Sequence, residues 1–266
     1  MIPELIYREE QEDNFLLLFF LGLLSGLFGF GIASIVLPEH VSILTVVFAA
    51  IPLVYPLTRN FLEDEADGRP HLDEILQYSS LFAGQVTAFF LLALIVSPEN
   101  LSVQISQFAP SLQRMGIESI GGTGLTEITG RATSGVSFLS ILLHNLMVFT
   151  VILVVSALVS SSGAFILTWN ASVLGVFMGT LASNLSGIQF ILGKGRIATP
   201  LAYIPHATFE MGGFIIAGIA GSLISAAVYR EHFDTGTWTD YLKLVGLGAT
   251  LILAAAILEC PPGCGG

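Results

Sequence analysis

The sequence predicts an all-α fold, a polytopic bundle of about seven transmembrane helices. Two observations carry that reading. Of the 266 residues, 53% are hydrophobic and only 11% are charged, with a mean hydropathy of +0.82. Soluble domains carry roughly 25% charged residues. The apolar residues also fall into continuous runs of about 20, the length an α-helix needs to cross a hydrocarbon core of ~30 Å. A transmembrane β-barrel would alternate apolar and polar residues instead.

Residues 1–14 are polar and acidic, the reverse of a signal-peptide n-region. The first span runs Phe15–Leu37, where Gly22 and Gly26 make a GxxxG face for close helix packing. Pro38 and Glu39 turn the chain into a second span, His40–Leu57, with Pro52 and Pro56 near its end, so the two spans read as a helical hairpin. A hydrophilic connector follows over 58–76, in which Asp67-Gly68 and Pro70 are turn signals. Residues 1–74 thus make one region of polar N-terminus, two-span hairpin and acidic connector.

Residues 75–259 read as a five-span core. Its first span is Gln77–Val96. A large non-membrane loop covers 97–136. Leu101, Ile105, Phe108, Leu112 and Met115 recur there at helical spacing, with Gln104, Gln107, Ser111 and Arg114 between them. This predicts an amphipathic extramembrane helix, interrupted at Pro110, that lies on the membrane or covers the bundle as a lid. The second half of the loop is rich in Gly and Thr and reads as irregular. The next spans are Val136–Val159, Ala164–Leu192, Thr199–Tyr229 and Asp240–Glu259. Ala164–Leu192 is long for one crossing, which predicts tilt or a break near Asn184–Gly187. Residues 260–266 form a tail whose Cys260 and Cys264 allow a disulfide or half of a metal site.

Charge narrows the partners. The net charge is −11, from 20 acids against 9 Lys and Arg, which argues against nucleic acid and against an anionic bilayer surface. The acids cluster outside the spans, at Glu9, Glu10, Glu12 and Asp13 and at Glu63, Asp64, Glu65 and Asp67, as solvated juxtamembrane charge. The expected partners are the lipid bilayer itself and either further copies of the chain or other membrane proteins. No cofactor is called for. Seven crossings place the termini on opposite sides of a plasma membrane. Basic residues divide almost evenly between the two sets of flanks, and the short loops favour a cytoplasmic N-terminus and an external C-terminus.

Chemistry concentrates in a few polar residues at membrane depth. His206 and Glu210 stand four apart, on one face of a helix, at the start of an apolar run. Ionisable groups there are costly, rare and usually functional. If that helix starts at Thr199-Pro200, a good N-cap and first residue, Glu210 lies ~12–15 Å along it, close to the depth of His144 in its own span. Asn145 and Asn184 fall in the same half of the bilayer, and Asn170 enters from the other side. His144, Asn145, Asn170, Asn184, His206 and Glu210 are therefore the candidate cluster, either a binding site or an interhelical lock. Pro205 inside the helix would break it and free a carbonyl. Alternatively the helix starts at Pro205, and the pair lies in its first turns, near the interface. His144, His206 and Glu210 are also chemically suitable metal ligands, although the spacing is not HExxH. The Ser183–Gly187 stretch is not a GxSxG nucleophile elbow.

The runs LLHNLMVF, WNASVLGVFMG and IPHATFEMGGFIIAGIAG resemble the stage II sporulation protein M family, in its archaeal-type branch. The family elements fall on His144-Asn145, Asn170-Ala171 and Pro205-His206-Ala207-Thr208-Phe209-Glu210. His144 stands where the family has Asn, and Ala171 and Ala207 where it has Gly. The resemblance covers residues 75–259 and implies a membrane scaffold that works through partners rather than an enzyme. From the residues, two other functions stay open: a small channel or transporter using the His/Glu/Asn cluster, and an intramembrane metal-dependent hydrolase.

Overall fold

A computed structural model describes residues 15–67, 72–114, 137–159, 162–184, 203–229 and 235–259. Eight α-helices hold nearly all of them: α1 Phe15–Val36, α2 Val41–Asp67, α3 Leu72–Ile95, α4 Ser102–Arg114, α5 Phe138–Leu158, α6 Ser162–Asn184, α7 Tyr203–Tyr229 and α8 Thr235–Glu259. Short 3-10 turns at Pro38–His40 and Pro98–Leu101 join α1 to α2 and α3 to α4. The fold is the all-α polytopic bundle that composition and run length predict. Six of the helices are long and apolar enough to cross a membrane: α1, α3, α5, α6, α7 and α8.

The second predicted span differs. Its described apolar part, Pro38–Val54, is shorter, about 25 Å at 1.5 Å per residue. The helix does not stop there. α2 runs on through Pro52 and Pro56 to Asp67, so most of the predicted connector is helical. The residues Leu57–Glu65 include good helix formers, and no glycine interrupts them until Gly68.

Two sub-bundles share the spanning helices. One contains α1, α2, α3 and α6, with α4 across its end; the other contains α5, α7 and α8. The first has its own core of Val46, Phe89, Leu92, Leu101, Ile105, Phe108, Val176 and Leu181. The second is built on Phe149, Ile152, Phe214, Ala217 and Ile252. A third cluster spans both, from Leu18 and Leu53 through Tyr78, Leu81 and Leu167 to Ile219, Leu223 and Leu244. The N-terminal hairpin thus shares a core with α3, α6 and α7.

α7 is the axis of the whole. Every residue from Gly213 to Leu223 is buried, and α2, α3, α5, α6 and α8 all pack on it. A helix apolar on all sides belongs in the middle of a bundle. Small residues let the neighbours come in: a Cβ on Gly221 would run into the Leu153 carbonyl of α5. α1 and α3 meet in the same way, since a Cβ on Gly22 would strike the Leu81 carbonyl, and one on Gly84 the Phe19 carbonyl. Without water there is no hydrophobic drive between membrane helices, so backbone proximity and dispersion hold them.

Polar staples add specificity. Gln85, fully buried on α3, donates to Thr168 Oγ1 of α6 at 2.9 Å and to Ser25 Oγ of α1 at 3.3 Å. α4 covers the bundle end rather than lying free. Gln104 donates to the Ser42 carbonyl at 2.9 Å and accepts from Ser42 Oγ at 2.6 Å, while Leu101, Ile105 and Phe108 are buried. Pro110 does not interrupt it, since α4 is continuous from Ser102 to Arg114. The Gly/Thr-rich second half of the loop, the segment after Asn184 and the Cys260–Cys264 tail lie outside the described residues.

Candidate functional site

α7 ends at Tyr229, α8 starts at Thr235, and the two helices run antiparallel. His206 lies 23 residues before the end of α7, and Glu259 lies 24 residues after the start of α8. Equal lengths of helix on either side of a turn return the chain to one level. The start of α7 therefore meets the end of α8, and three ionisable side chains converge there. Trp238 and Tyr241 stack edge to face at the opposite end, with ring centroids 5.8 Å apart, and the exposed Tyr229 ends α7 on that side. Such aromatics mark a membrane–water interface. From Tyr229 to His206 is about 35 Å along the helix, so His206 reaches the other interface.

The imidazole of His206 is held on three sides. Its Nε2 is 2.8 Å from Glu210 Oε2, one turn further along α7. The same nitrogen is 3.4 Å from Glu259 Oε2 on α8. Its Nδ1 is 3.0 Å from the Ala255 carbonyl oxygen, also on α8. A carbonyl can only accept, so Nδ1 carries a hydrogen and donates it. The ring is 17% exposed, and the carboxylates of Glu210 and Glu259 are 19% and 44% exposed. The ligand atoms of His206, Glu210 and Glu259 all lie within 4.8 Å of one another.

The rest of the predicted cluster is spread over other places. His144 is exposed on α5, with no hydrogen bond among the described residues, and it is not part of the His206 group. Asn145 beside it is buried, and its Nδ2 has no partner among the described residues. Asn170 donates to the Ile166 carbonyl of its own helix at 2.8 Å, and Asn184, at the end of α6, donates to the Thr180 carbonyl at 2.8 Å. Asn170 also lines a cavity of about 10 Å³ with Tyr78, Ile166, Met211 and Gly218, near the space one water needs. α7 continues through Pro205, its third described residue, so there is no helix break at that position. An early proline loses little, because the first N–H groups of a helix have no intrahelical partner. The expected start at Thr199-Pro200 lies outside the described residues.

Glu259 is the member of this group that the sequence reading missed. It stood at the end of the last span with no assigned role. The signal that finds it is the matched length of helix from His206 to the end of α7 and from the start of α8 to Glu259.

No protein-family model matches the chain, and no solved structure matches it. One curated protein is similar in part: NADH-ubiquinone oxidoreductase chain 2 of Myxine glutinosa is 30% identical over 96 residues, 33% of this chain. The match covers 28% of that relative's length, too little to assign the chain to its family. What the helices establish is a multi-pass membrane protein.

Proposed function

We propose that this chain is an integral membrane scaffold, a non-enzymatic protein that organises other membrane proteins, or copies of itself, by contact within the bilayer. The observation that carries the reading is α5. Only 17% of its most apolar 18-residue stretch is buried inside the bundle. Its outer face presents Leu139, Leu143, Met147, Val151, Val154 and Leu158, and among them the imidazole of His144. His144 is the seventh residue of α5, about 9 Å along the helix axis. A polar ring facing hydrocarbon at that depth is costly. A second protein helix against this face would cover the ring and offer it a partner. Self-association with two-fold symmetry is the simplest form, because one face then serves both copies.

The resemblance to the stage II sporulation protein M family points the same way, toward work through partners. A channel or transporter draws less support, because Asn170 and Asn184 each bond to their own helix rather than converging on His206. The test is native mass spectrometry of the protein released from lipid nanodiscs, alongside a liposome ion-flux assay. A dimer or larger species with flux at background is the expected result. Monomer alone, together with flux that Glu210→Gln abolishes, would replace the scaffold with a transporter.

A further inference from the structure

We propose that His206, Glu210 and Glu259 bind one zinc-class divalent metal ion, which fastens the start of α7 to the end of α8. The inference stands apart from the scaffold reading and does not depend on it.

The tautomer is the first reason. With Nδ1–H given to the Ala255 carbonyl, the neutral ring keeps its lone pair on Nε2. That lone pair faces oxygens of two carboxylates, at 2.8 and 3.4 Å. Electron-pair donors this close repel unless a proton or a metal cation lies among them. Metal-bound histidines characteristically donate the other ring N–H to a carbonyl or carboxylate, which fixes the ring for the metal.

The distances also suit a metal. A proton on Nε2 would satisfy Glu210, because 2.8 Å is a charge-assisted hydrogen-bond length. Glu259, at 3.4 Å from the same nitrogen, would stand in a looser ion pair. In a tetrahedral zinc site, ligands at about 2.0–2.2 Å stand roughly 3.3–3.4 Å from each other. The Glu259 oxygen is already at that spacing from Nε2, and Glu210 needs to open by about 0.5 Å. The ring nitrogen selects against magnesium and calcium, which take oxygen ligands. Partial exposure of all three side chains gives an ion a way in from the membrane surface and leaves room for a water as fourth ligand.

The experiment uses full-length protein in detergent, stripped with a chelator, passed through gel filtration and reloaded with zinc. Elemental analysis should find about one zinc per chain, and zinc should raise the melting temperature where equal magnesium does not. Cobalt in place of zinc should give the visible absorption of a four-coordinate site. His206→Ala should abolish binding. Glu259→Gln, at the most exposed ligand, should keep the fold by circular dichroism and weaken binding at least about tenfold. A C260S/C264S variant should bind zinc like the wild type. The proposal is overturned by wild type that holds no zinc and shows no shift, by full affinity in Glu259→Gln, by an equal shift with magnesium, or by loss of zinc in C260S/C264S.

Discussion

α5 and α7 are both apolar membrane helices with a histidine near the start, and the bundle treats them oppositely. In their most apolar 18-residue stretches, α7 is 72% buried and α5 17%. His206 on α7 is gripped by Glu210, Glu259 and the Ala255 carbonyl. His144 on α5 points outward without a partner among the described residues. Hydropathy does not separate the two, because in lipid an apolar surface is equally at home outside and inside. Side-chain size does. α7 carries Gly212, Gly213, Ala217, Gly218, Ala220 and Gly221, whereas α5 has no glycine. Small residues admit neighbouring backbones, and large branched ones fill the space facing lipid.

The sharpest way to break this comparison is to add bulk at matched glycines. In Gly221→Leu the new Cβ would meet the Leu153 carbonyl and the Ala157 nitrogen of α5. We expect a loss of about 3 kcal/mol or more, read as a collapse in folded yield and melting temperature. Gly246 on α8 has nothing within 4 Å of its added Cβ, and Gly246→Leu should stay within about 0.5 kcal/mol of wild type. Equal losses in the two variants would mean that α7 is not the packed axis.

The two histidines give the next largest contrast. His206→Ala removes the link between α7 and α8 and leaves two partly buried carboxylates facing each other, for an expected loss of about 1–2 kcal/mol in thermal unfolding at low metal. His144→Ala should change the stability of the detergent-solubilised monomer by less than about 0.5 kcal/mol. Asn145 sharpens the comparison at the small end. Its Nδ2 is buried with no partner among the described residues, so Asn145→Leu should be neutral, or stabilising by up to about 1 kcal/mol, in the same unfolding assay.

The sequence made the spans legible because the bilayer imposes one requirement, a continuous apolar run of fixed length. Phe15–Leu37, Gln77–Val96 and Val136–Val159 each match a helix to within a few residues. Gly22 and Gly26 read correctly as a packing face, and a Cβ on Gly26 would come within 2.6 Å of Ala88 Cβ. The His206–Glu210 pair was legible from its spacing alone, since both ends of the contact lie on one helix. Glu259 and the Gln85–Thr168–Ser25 staple were not, because each links residues on different helices, and a run-length argument carries no information about which helices touch. His144 was misplaced for the same reason. Depth along a span can be counted in residues, but the direction in which a side chain points around a bundle depends on neighbours that periodicity does not name. The acidic end of α2 was read as loop because its polarity marks an exit from the membrane, which a helix can make without ending.

The central claim is that α7 is the closed core and α5 the face through which the chain meets another protein. Disulfide trapping in native membranes tests it most directly, using C260S/C264S with single cysteines at Met147 on α5 or Leu253 on α8, both exposed in the single chain. The account predicts efficient dimer trapping from Met147→Cys, weakened when His144→Leu is added, and none above background from Leu253→Cys. Equal trapping at both positions, or none at Met147, would contradict it.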